Sequence, residues 1–197
     1  MFGSAWFLDK VVITNLKTNA KTFFLCGQWL DKHSGDKQMV RELPASKEDG
    51  TTYAPLIKYK IEVTTGDRRG AGTDANVFVT VYGENGDSGQ KKLEGSGNLF
   101  ERAQTDEFGF EFVELGELKK ITIGHDNSGF GASWFLDKVV VTRESDGKKW
   151  FFLCGRWLSK GEDDGAIIRD IPASGEDGKT YAPLAYYKIS VVTGNKR

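Results

Sequence analysis

Cysteine and histidine are scarce in this 197-residue chain, which contains two of each. Cys26 and Cys154 both lie inside apolar, strand-like runs. This placement predicts buried free thiols and a reducing, intracellular setting. Two histidines are too few for histidine-rich metal chemistry. No apolar run approaches the roughly 20 residues of a membrane span. The first residues also lack the basic start and long apolar stretch of a signal peptide.

Acidic and basic residues are also nearly balanced in number. The chain has 27 basic and 28 acidic side chains, which gives a formal net charge of −1. This balance offers no bulk electrostatic basis for binding nucleic acid. Hydrophobic residues make up 39% of the chain, enough for one full core and part of another.

The chain does contain a long internal repeat. Residues 2–69 align without a gap onto residues 130–197, and 39 of these 68 pairs are identical. A repeat distance of 128 residues fits whole domains in tandem rather than solenoid units. We therefore expect five segments: the C-terminal part of a preceding copy (1–45), a linker (46–57), a complete copy (58–172), a second linker (173–184) and the first strand of a following copy (185–197).

The complete copy carries strand signals and no amphipathic helix. In the run "NVFVTVYG", Val77, Val79 and Val81 face one way while the residues between them face the other. The run "EFGFEF" places Phe108, Phe110 and Phe112 on one face in the same manner. Short alternating runs separated by Gly, Asn and Asp turns predict an all-β, antiparallel β-sandwich.

The segment 1–45 cannot close such a sandwich, because it lacks counterparts of residues 75–128. We expect its strands to be poorly protected, or to pair with another chain through their unsatisfied edges.

Two motif-like patterns between residues 70 and 89 do not fit their usual contexts. "GAGTDA" (70–75) matches a dinucleotide-binding fingerprint, but a strand-like run follows it where a helix would be needed. "GDSG" (86–89) resembles the surroundings of a nucleophilic serine. The only histidine in the complete copy is His125, and nothing else supports a Ser88–His125 pair.

Three turn-like segments are rich in Asp, Asn and Gly: 65–76, 83–89 and 124–129. Ca²⁺ takes about six to eight oxygen ligands from carboxylates, amides and backbone carbonyls. Glycine lets backbone carbonyls adopt directions that other residues avoid. On the residues alone, a calcium site between loops and simple turns at Asn85-Gly86 and Asp126-Asn127 are both consistent with the pattern.

Five segments of the chain together resemble the PLAT domain, also called the lipoxygenase homology (LH2) domain. In order, they are "YKIEVTTGDRRGAGTDANVFVTVYGENGDSG", "FERAQTDEF", "LGELKKITIGHDNSG", "WFLDKVVV" and "WFFLCGRWL", with the first one spanning two strand regions. The resemblance covers residues 58–172. It implies an eight-stranded β-sandwich that docks on membranes and has no catalytic activity of its own.

The resemblance also implies a Ca²⁺ site built from neighbouring loops at one end of the sandwich. Gly72 and Thr73 would supply carbonyl oxygens and Asp74 a carboxylate. The further candidate ligands are Asn85, Asp87, Asp126 and Asn127. A strand crosses the sandwich from end to end, so the sequence leaves open whether Asn85 and Asp87 lie at the same end as Asp74.

Membrane-docking PLAT domains expose aromatic side chains on these loops, which makes Phe130 the candidate wedge. Arg68 and Arg69 occupy a place where other members carry a bulky residue. Two arginines there suit an anionic lipid headgroup or an acidic protein surface, and equally suit a solvated surface. The implied partners are membrane phospholipid or a membrane-associated protein. The implied location is cytoplasmic and peripheral to a membrane, in stereocilia if tandem-array members are the right comparison.

Three functions are compatible with these features. The first is a non-catalytic binding module that docks on lipid or a membrane-associated protein, assisted by Ca²⁺. The second is a structural spacer that links the plasma membrane and the cytoskeleton through protein contacts without calcium. The third is a regulatory fragment of a lipid-processing enzyme, against which the repeat argues, because another copy adjoins the domain.

Overall fold

The described part of the chain consists of β-strands, turns and loops. The computed structural model describes residues 5–181, 188 and 190. The expected first strand of a following copy, residues 185–197, therefore lies outside the described residues apart from 188 and 190. The strands are β1 (Trp6–Thr14), β2 (Lys21–Leu30), β3 (Leu56–Thr65), β4 (Val77–Gly83), β5 (Gly86–Asp87), β6 (Lys91–Lys92), β7 (Thr105–Val113), β8 (Leu118–His125), β9 (Trp134–Arg143), β10 (Lys148–Leu158) and β11 (Ile168–Pro172).

The complete copy folds as two antiparallel sheets that enclose one core. One sheet has the strand order β10-β9-β3-β7, and the other has the order β11-β8-β4, with β5 and β6 both paired to β4. Residues 88–90 separate these two short strands, and Gly89 adopts a positive φ. The second sheet therefore has a divided edge strand. The prediction of an all-β, antiparallel sandwich is confirmed.

Alternation along the strands builds the core. Tyr59, Ile61 and Val63 of β3 are buried, and so are the three valines of β4 at 77, 79 and 81. In β7, Phe108 and Phe112 are buried, while Phe110 is partly buried against the same cluster. Large aromatic side chains from β9 and β10 complete the core between the sheets: Trp134, Trp150 and Phe152.

The antiparallel order brings four loops to one end of the sandwich. Val77 at the start of β4 pairs with His125 at the end of β8. Thr65 at the end of β3 pairs with Leu136 near the start of β9. We call this end the loop pole; its loops are residues 66–76, 93–104, 126–133 and 159–167.

The opposite end of the sandwich carries both chain connections of the complete copy. Leu56, where β3 begins, pairs with Val113, where β7 ends. Pro172, where β11 ends, pairs with Lys120 near the start of β8. We call this end the far pole.

Strands β1 and β2 form a separate two-stranded sheet. Within residues 5–181 neither strand pairs with a strand of the complete copy. Several large apolar side chains of this hairpin are exposed: Trp6, Phe7, Val11, Val12, Ile13, Leu25 and Trp29. The segment boundaries and the poor protection expected for residues 1–45 stay predictions.

Both cysteines are free thiols, but they are only partly buried. The expectation of free thiols is confirmed, but the expectation that they are buried was wrong. The physical reason is a bulge, because the antiparallel register shifts between Leu153 and Arg156 around Cys154. Gly27 and Gly155, which follow the two cysteines, both have a φ near 60° (61° and 60°), a conformation that glycine adopts without strain. Burial still raises the pKa of the Cys154 thiol.

Candidate functional site

Loop 66–76 is tied to the start of β9 at the loop pole. The Gly66 amide donates to the Phe135 carbonyl at 2.9 Å, and the Phe135 amide donates to the Ala71 carbonyl at 2.9 Å. A Cβ on Gly66 would lie 2.4 Å from the Phe135 ring, so the close approach requires glycine. The loop leads directly into strand β4. Residues 70–75 therefore have none of the strand–turn–helix context of a dinucleotide site.

Asp74 lies in this loop with a carboxylate that is open to binding. Its side chain is exposed, and no hydrogen bond or ion pair to another described residue holds it. The backbone carbonyls of Gly72 and Thr73 also accept no hydrogen bond from the described residues. A cavity of about 390 Å³ adjoins these groups, and Glu101 and Gly131 help to line it. Uncommitted carboxylate and carbonyl oxygens are the donor set that Ca²⁺ prefers.

The Asp126 carboxylate differs from that of Asp74, because hydrogen-bond donors of the protein already surround it. Asn76 donates to it from its backbone amide at 3.2 Å and from Nδ2 at 2.7 Å. The Ser128 amide donates at 2.9 Å. Hydrogen bonds from Ser128 and Asn76 hold the pKa of Asp126 far below its usual range. With three acceptor positions in use, Asp126 ties two site loops together and has little capacity left for a metal ion.

His125 and Asn127 fix the turn around Asp126. The His125 ring is fully buried, with Nε2 at 2.9 Å from the Leu158 carbonyl. The Asn127 amide donates to Nδ1 of the same ring at 3.1 Å. This arrangement requires the neutral ring with its proton on Nε2. Both ring nitrogens are thus occupied by structural bonds.

Ser88 lies along β4 away from His125. The Ser88 hydroxyl accepts from the Val81 amide at 2.9 Å and donates to the Gly89 carbonyl at 2.8 Å. His125 pairs with Val77, four residues before Val81, a separation of about 13 Å along a strand. Ser88 and His125 therefore do not form a nucleophile–base pair.

Asn85 and Asp87 lie at the far pole. The Asn85 amide donates to the Leu115 carbonyl at 3.1 Å, and the Asp87 carboxylate accepts from the Gly89 amide at 2.8 Å. Six residue steps of β4, about 20 Å, separate this hairpin from the loop of Asp74. The structure thus brings Gly72, Thr73 and Asp74 together but leaves these two residues apart from them.

Phe130 is a highly exposed apolar side chain of the loop pole, with 97% of its surface exposed. Gly129 and Gly131 on either side have positive φ angles of 80° and 89°. A Cβ on Gly129 would approach Cβ of Asp74 to 3.2 Å, so the Phe130 loop rests against Asp74. An exposed aromatic residue and an uncommitted carboxylate thus occupy adjoining loops.

The arginines of loop 66–76 differ in how firmly they are held. The Arg68 guanidinium lies over the Phe135 ring, 4.2 Å from its centroid. Phe135 in turn packs edge-on against Trp157 at 5.4 Å. Arg69 is exposed. Arg68 is therefore fixed by a cation–π contact, while Arg69 extends into solvent.

Three contributors to this site escaped the sequence analysis. Asn76 binds Asp126 from 50 residues away, Glu101 lines the cavity beside Asp74, and the buried Phe135 ring also supports Arg68. The sequence offers a signal only for Asn76, a polar residue directly before a predicted strand. The pairing of Glu101 and Phe135 with loop 66–76 depends on the sheet order.

The described residues hold no ready-made cluster of three or more Asp, Glu, His or Cys side chains around one point. A calcium ion at Asp74 would consequently rely on backbone carbonyls and water for most of its ligands. Among residues 5–181, 188 and 190, no helix has the length and apolar character to cross a membrane.

Comparison with known proteins yields one family and several relatives. Residues 59–169 match the model of the PLAT/LH2 domain. Lipoxygenase homology domain-containing protein 1 of Mus musculus is 40% identical over 196 residues, which is 99% of this chain and 9% of the relative. Polycystin-1 of Homo sapiens is 38% identical over 114 residues, which is 57% of this chain and 3% of that protein. The chain therefore spans less than a tenth of the length of these curated relatives.

Among solved structures, a coral 8R-lipoxygenase is 25% identical to the chain with a TM-score of 0.52. The match covers 59% of this chain and 17% of the lipoxygenase chain. That enzyme is described as activated by calcium through a C2-like domain.

Proposed function

The chain belongs to the PLAT/LH2 domain family, and on this premise we propose that its complete copy is a non-catalytic docking module. Its loop pole would bind an anionic membrane surface with the assistance of Ca²⁺. The observation that carries the proposal is the adjacency of Phe130 and Asp74 at one end of the sandwich.

Phe130 supplies the apolar part of the docking surface. An aromatic ring exposed over 97% of its surface gains nothing from its own fold. Transfer of such a side chain out of water stabilises the bound state by about 1.5–3 kcal/mol. The flanking glycines allow the loop to turn sharply and leave the ring at its tip. Phe130 would therefore bind by entering the interface between headgroups and acyl chains.

Asp74 supplies the place for the ion. Its carboxylate and the carbonyls of Gly72 and Thr73 would hold Ca²⁺, with Glu101 close enough to share the cavity. A bound Ca²⁺ supplies positive charge and open coordination positions for lipid phosphate or carboxylate oxygens. The support for this assignment is that these oxygens are uncommitted, whereas the Asp126 carboxylate is occupied by Asn76 and Ser128.

Arg68 and Arg69 would add electrostatic attraction at the same pole. A basic residue near an anionic membrane contributes about 1 kcal/mol. Arg68 is already ordered by Phe135, so binding would cost it little side-chain entropy. Arg102 is less available, because its guanidinium pairs with Asp67 at 2.6 Å.

Vesicle co-sedimentation tests the proposal. We expect the chain to sediment with vesicles of phosphatidylcholine mixed with phosphatidylserine in millimolar calcium, and to stay in solution with a chelator. Phe130→Ala and Asp74→Asn should each reduce the bound fraction. Leu153→Ala is the matched control, since Leu153 is also exposed but belongs to β10. Equal sedimentation of all three variants would contradict the proposed surface.

Thermal unfolding tests calcium binding separately from membrane binding. A ligand that binds only the folded state at 100 times its Kd raises stability by about 2.7 kcal/mol. Calcium should therefore raise the melting temperature of the wild-type chain and not that of Asp74→Asn. If calcium changes neither melting temperature nor sedimentation, a calcium-independent spacer that acts through protein contacts becomes the better function. A stereociliary location stays a prediction.

A further inference from the structure

We propose that Asp106 is a positioning residue for the calcium site at Asp74, although it belongs to β7 rather than to loop 66–76. It would act through Phe100, whose carbonyl orients the peptide between Gly72 and Thr73. This role rests on the proposed calcium function, because it concerns the carbonyl that Gly72 would offer to the ion.

Asp106 is a buried carboxylate near the start of β7, with 6% of its surface exposed. Its Oδ2 accepts from the Phe100 amide at 2.8 Å, and its Oδ1 accepts from Gln104 Nε2 at 2.5 Å. A buried carboxylate costs free energy unless its oxygens are hydrogen-bonded. Both donors belong to loop 93–104, so Asp106 ties that loop to the sheet.

Phe100 has a backbone conformation that a bulky residue rarely adopts. Its φ is 58°, in the left-handed region where an aromatic side chain is strained. Two contacts hold it there. Asp106 binds its amide, and its ring packs against Phe108 and Trp134 with centroid distances of 5.8 and 5.5 Å. Strain of this kind persists only where the surroundings enforce it, and it is concentrated at ligand-binding sites. The strain at Phe100 therefore points to a role beyond packing.

The carbonyl of Phe100 reaches loop 66–76. It accepts a hydrogen bond from the Thr73 amide at 3.3 Å. A Cβ added to Gly72 would lie 3.1 Å from the same carbonyl oxygen, so the two loops are in close contact here. The Thr73 N–H and the Gly72 C=O belong to one planar trans peptide, in which they point in opposite directions. Because Phe100 fixes the N–H, it also directs the Gly72 carbonyl away from loop 93–104.

These contacts form one path from β7 to the ion site, and Asp106→Asn should interrupt it at its start. The Asn side chain presents one acceptor oxygen and an NH₂ group where the carboxylate has two acceptor oxygens. Loop 93–104 then loses one of its two ties to this side chain, and Phe100 loses part of what holds its strained conformation. The Gly72 carbonyl would no longer have a fixed direction, and ion binding would have to restore it.

Calcium affinity, measured on the full chain by isothermal titration calorimetry, tests this role. Loss of a partner that orients a metal ligand weakens metal binding by about 10–100-fold. We expect Asp106→Asn to raise the Kd for Ca²⁺ by about 10-fold or more. Glu107→Gln is the charge-matched control, since Glu107 is the next residue of β7 and its exposed carboxylate contacts Lys60 at 3.4 Å. It should leave the Kd unchanged.

Val141→Ala controls for a general loss of stability, because Val141 is fully buried in β9 and lies outside the path from Asp106 to Gly72. This variant should lower the melting temperature without changing a Kd that is measured well below that temperature. A role of Asp106 in stability alone predicts the same result for Asp106→Asn.

Exchange of the Thr73 amide, followed by NMR in the calcium-free chain, gives a second readout that does not need the ion. Relative to core amides of β4, this amide should exchange slowly in the wild-type chain and in Val141→Ala, and several times faster in Asp106→Asn. If Asp106→Asn does not fold, Gln104→Ala replaces it. Gln104→Ala removes the other donor to Asp106 and should change the Kd and the exchange rate in the same directions.

An unchanged Kd or an unchanged Thr73 exchange rate in Asp106→Asn would overturn the proposed role of Asp106 and leave the calcium site itself intact. A wild-type chain that binds no calcium would overturn both the site and the role. A raised Kd together with faster Thr73 exchange, in the absence of either change in Glu107→Gln and Val141→Ala, supports the proposal.

Discussion

The hydrogen bond between Trp134 and Thr65 offers a direct test of what holds the loop pole. Trp134 Nε1 donates to Thr65 Oγ1 at 2.9 Å, and both side chains are fully buried. The bond joins the end of β3 to the start of β9, where loop 66–76 begins and loop 126–133 ends. Thr65→Val keeps the shape of the side chain and removes the acceptor, which leaves a buried indole N–H without a partner.

An unsatisfied buried donor costs about 1–3 kcal/mol. For a domain of this size, each kcal/mol lowers the melting temperature by about 4 °C. We therefore expect Thr65→Val to lower it by roughly 4–12 °C, with a matching shift of the urea midpoint followed by circular dichroism. Thr64→Val is the control, since the Thr64 hydroxyl meets that of Thr105 at an exposed site, 3.0 Å away. Its effect should stay within about 0.5 kcal/mol.

A double-mutant cycle with Trp134→Phe isolates the bond itself. Trp134→Phe removes the donor and also creates a cavity, so its own cost is larger. In the double variant no donor is left unsatisfied. Its loss of unfolding free energy should therefore be about 1 kcal/mol smaller than the sum of the losses in the two single variants. Additive changes, or a Thr65→Val variant as stable as Thr64→Val, would refute the reasoning.

Two further predictions concern the loss of stability at low pH and the rate of backbone amide hydrogen exchange. Arg143 holds the pKa of Asp146 down at about 2, so this carboxylate stabilises the fold above its unfolded pKa of about 3.9 and loses that effect as the pH falls through about 2. Asp146→Asn should flatten the decline of the urea midpoint between these pH values, while Glu144→Gln on the same turn should not. Backbone amides of β1 and β2 should exchange with deuterium faster than those of residues 107–158. Uniformly slow exchange in a monomer would contradict this expectation.

Strand alternation made most of the fold predictable. The buried valines of β4 and the buried positions of β3 follow directly from period-two patterns. The repeat also predicted that the two copies share local backbone structure. The structure agrees, because the glycine of each "FFLCG" segment has a positive φ. The prediction of burial failed where the alternating pattern is interrupted. The bulge at Gly155 leaves Cys154 only partly buried, and an alternating pattern contains no information about that bulge.

The candidate site was less predictable, because its contacts join distant parts of the chain. Which oxygens are free depends on donors elsewhere: Asn76 occupies the Asp126 carboxylate across 50 residues, and no described donor occupies Asp74. Asn85 belongs to an acidic, glycine-rich turn much like that of Asp74, yet it lies at the other pole. Composition identifies suitable ligand types, but only the strand order determines which of them share one end of the sandwich.

The position of the chain connections has a consequence for affinity. Leu56 and Pro172 both lie at the far pole, away from Phe130. The loop pole can therefore contact a membrane surface without steric interference from either chain connection. When two linked copies meet the same membrane, the second attachment takes place within one molecule, at an effective concentration in the millimolar range for a short flexible linker. Each copy could then bind weakly and release quickly, while the tandem chain stays attached.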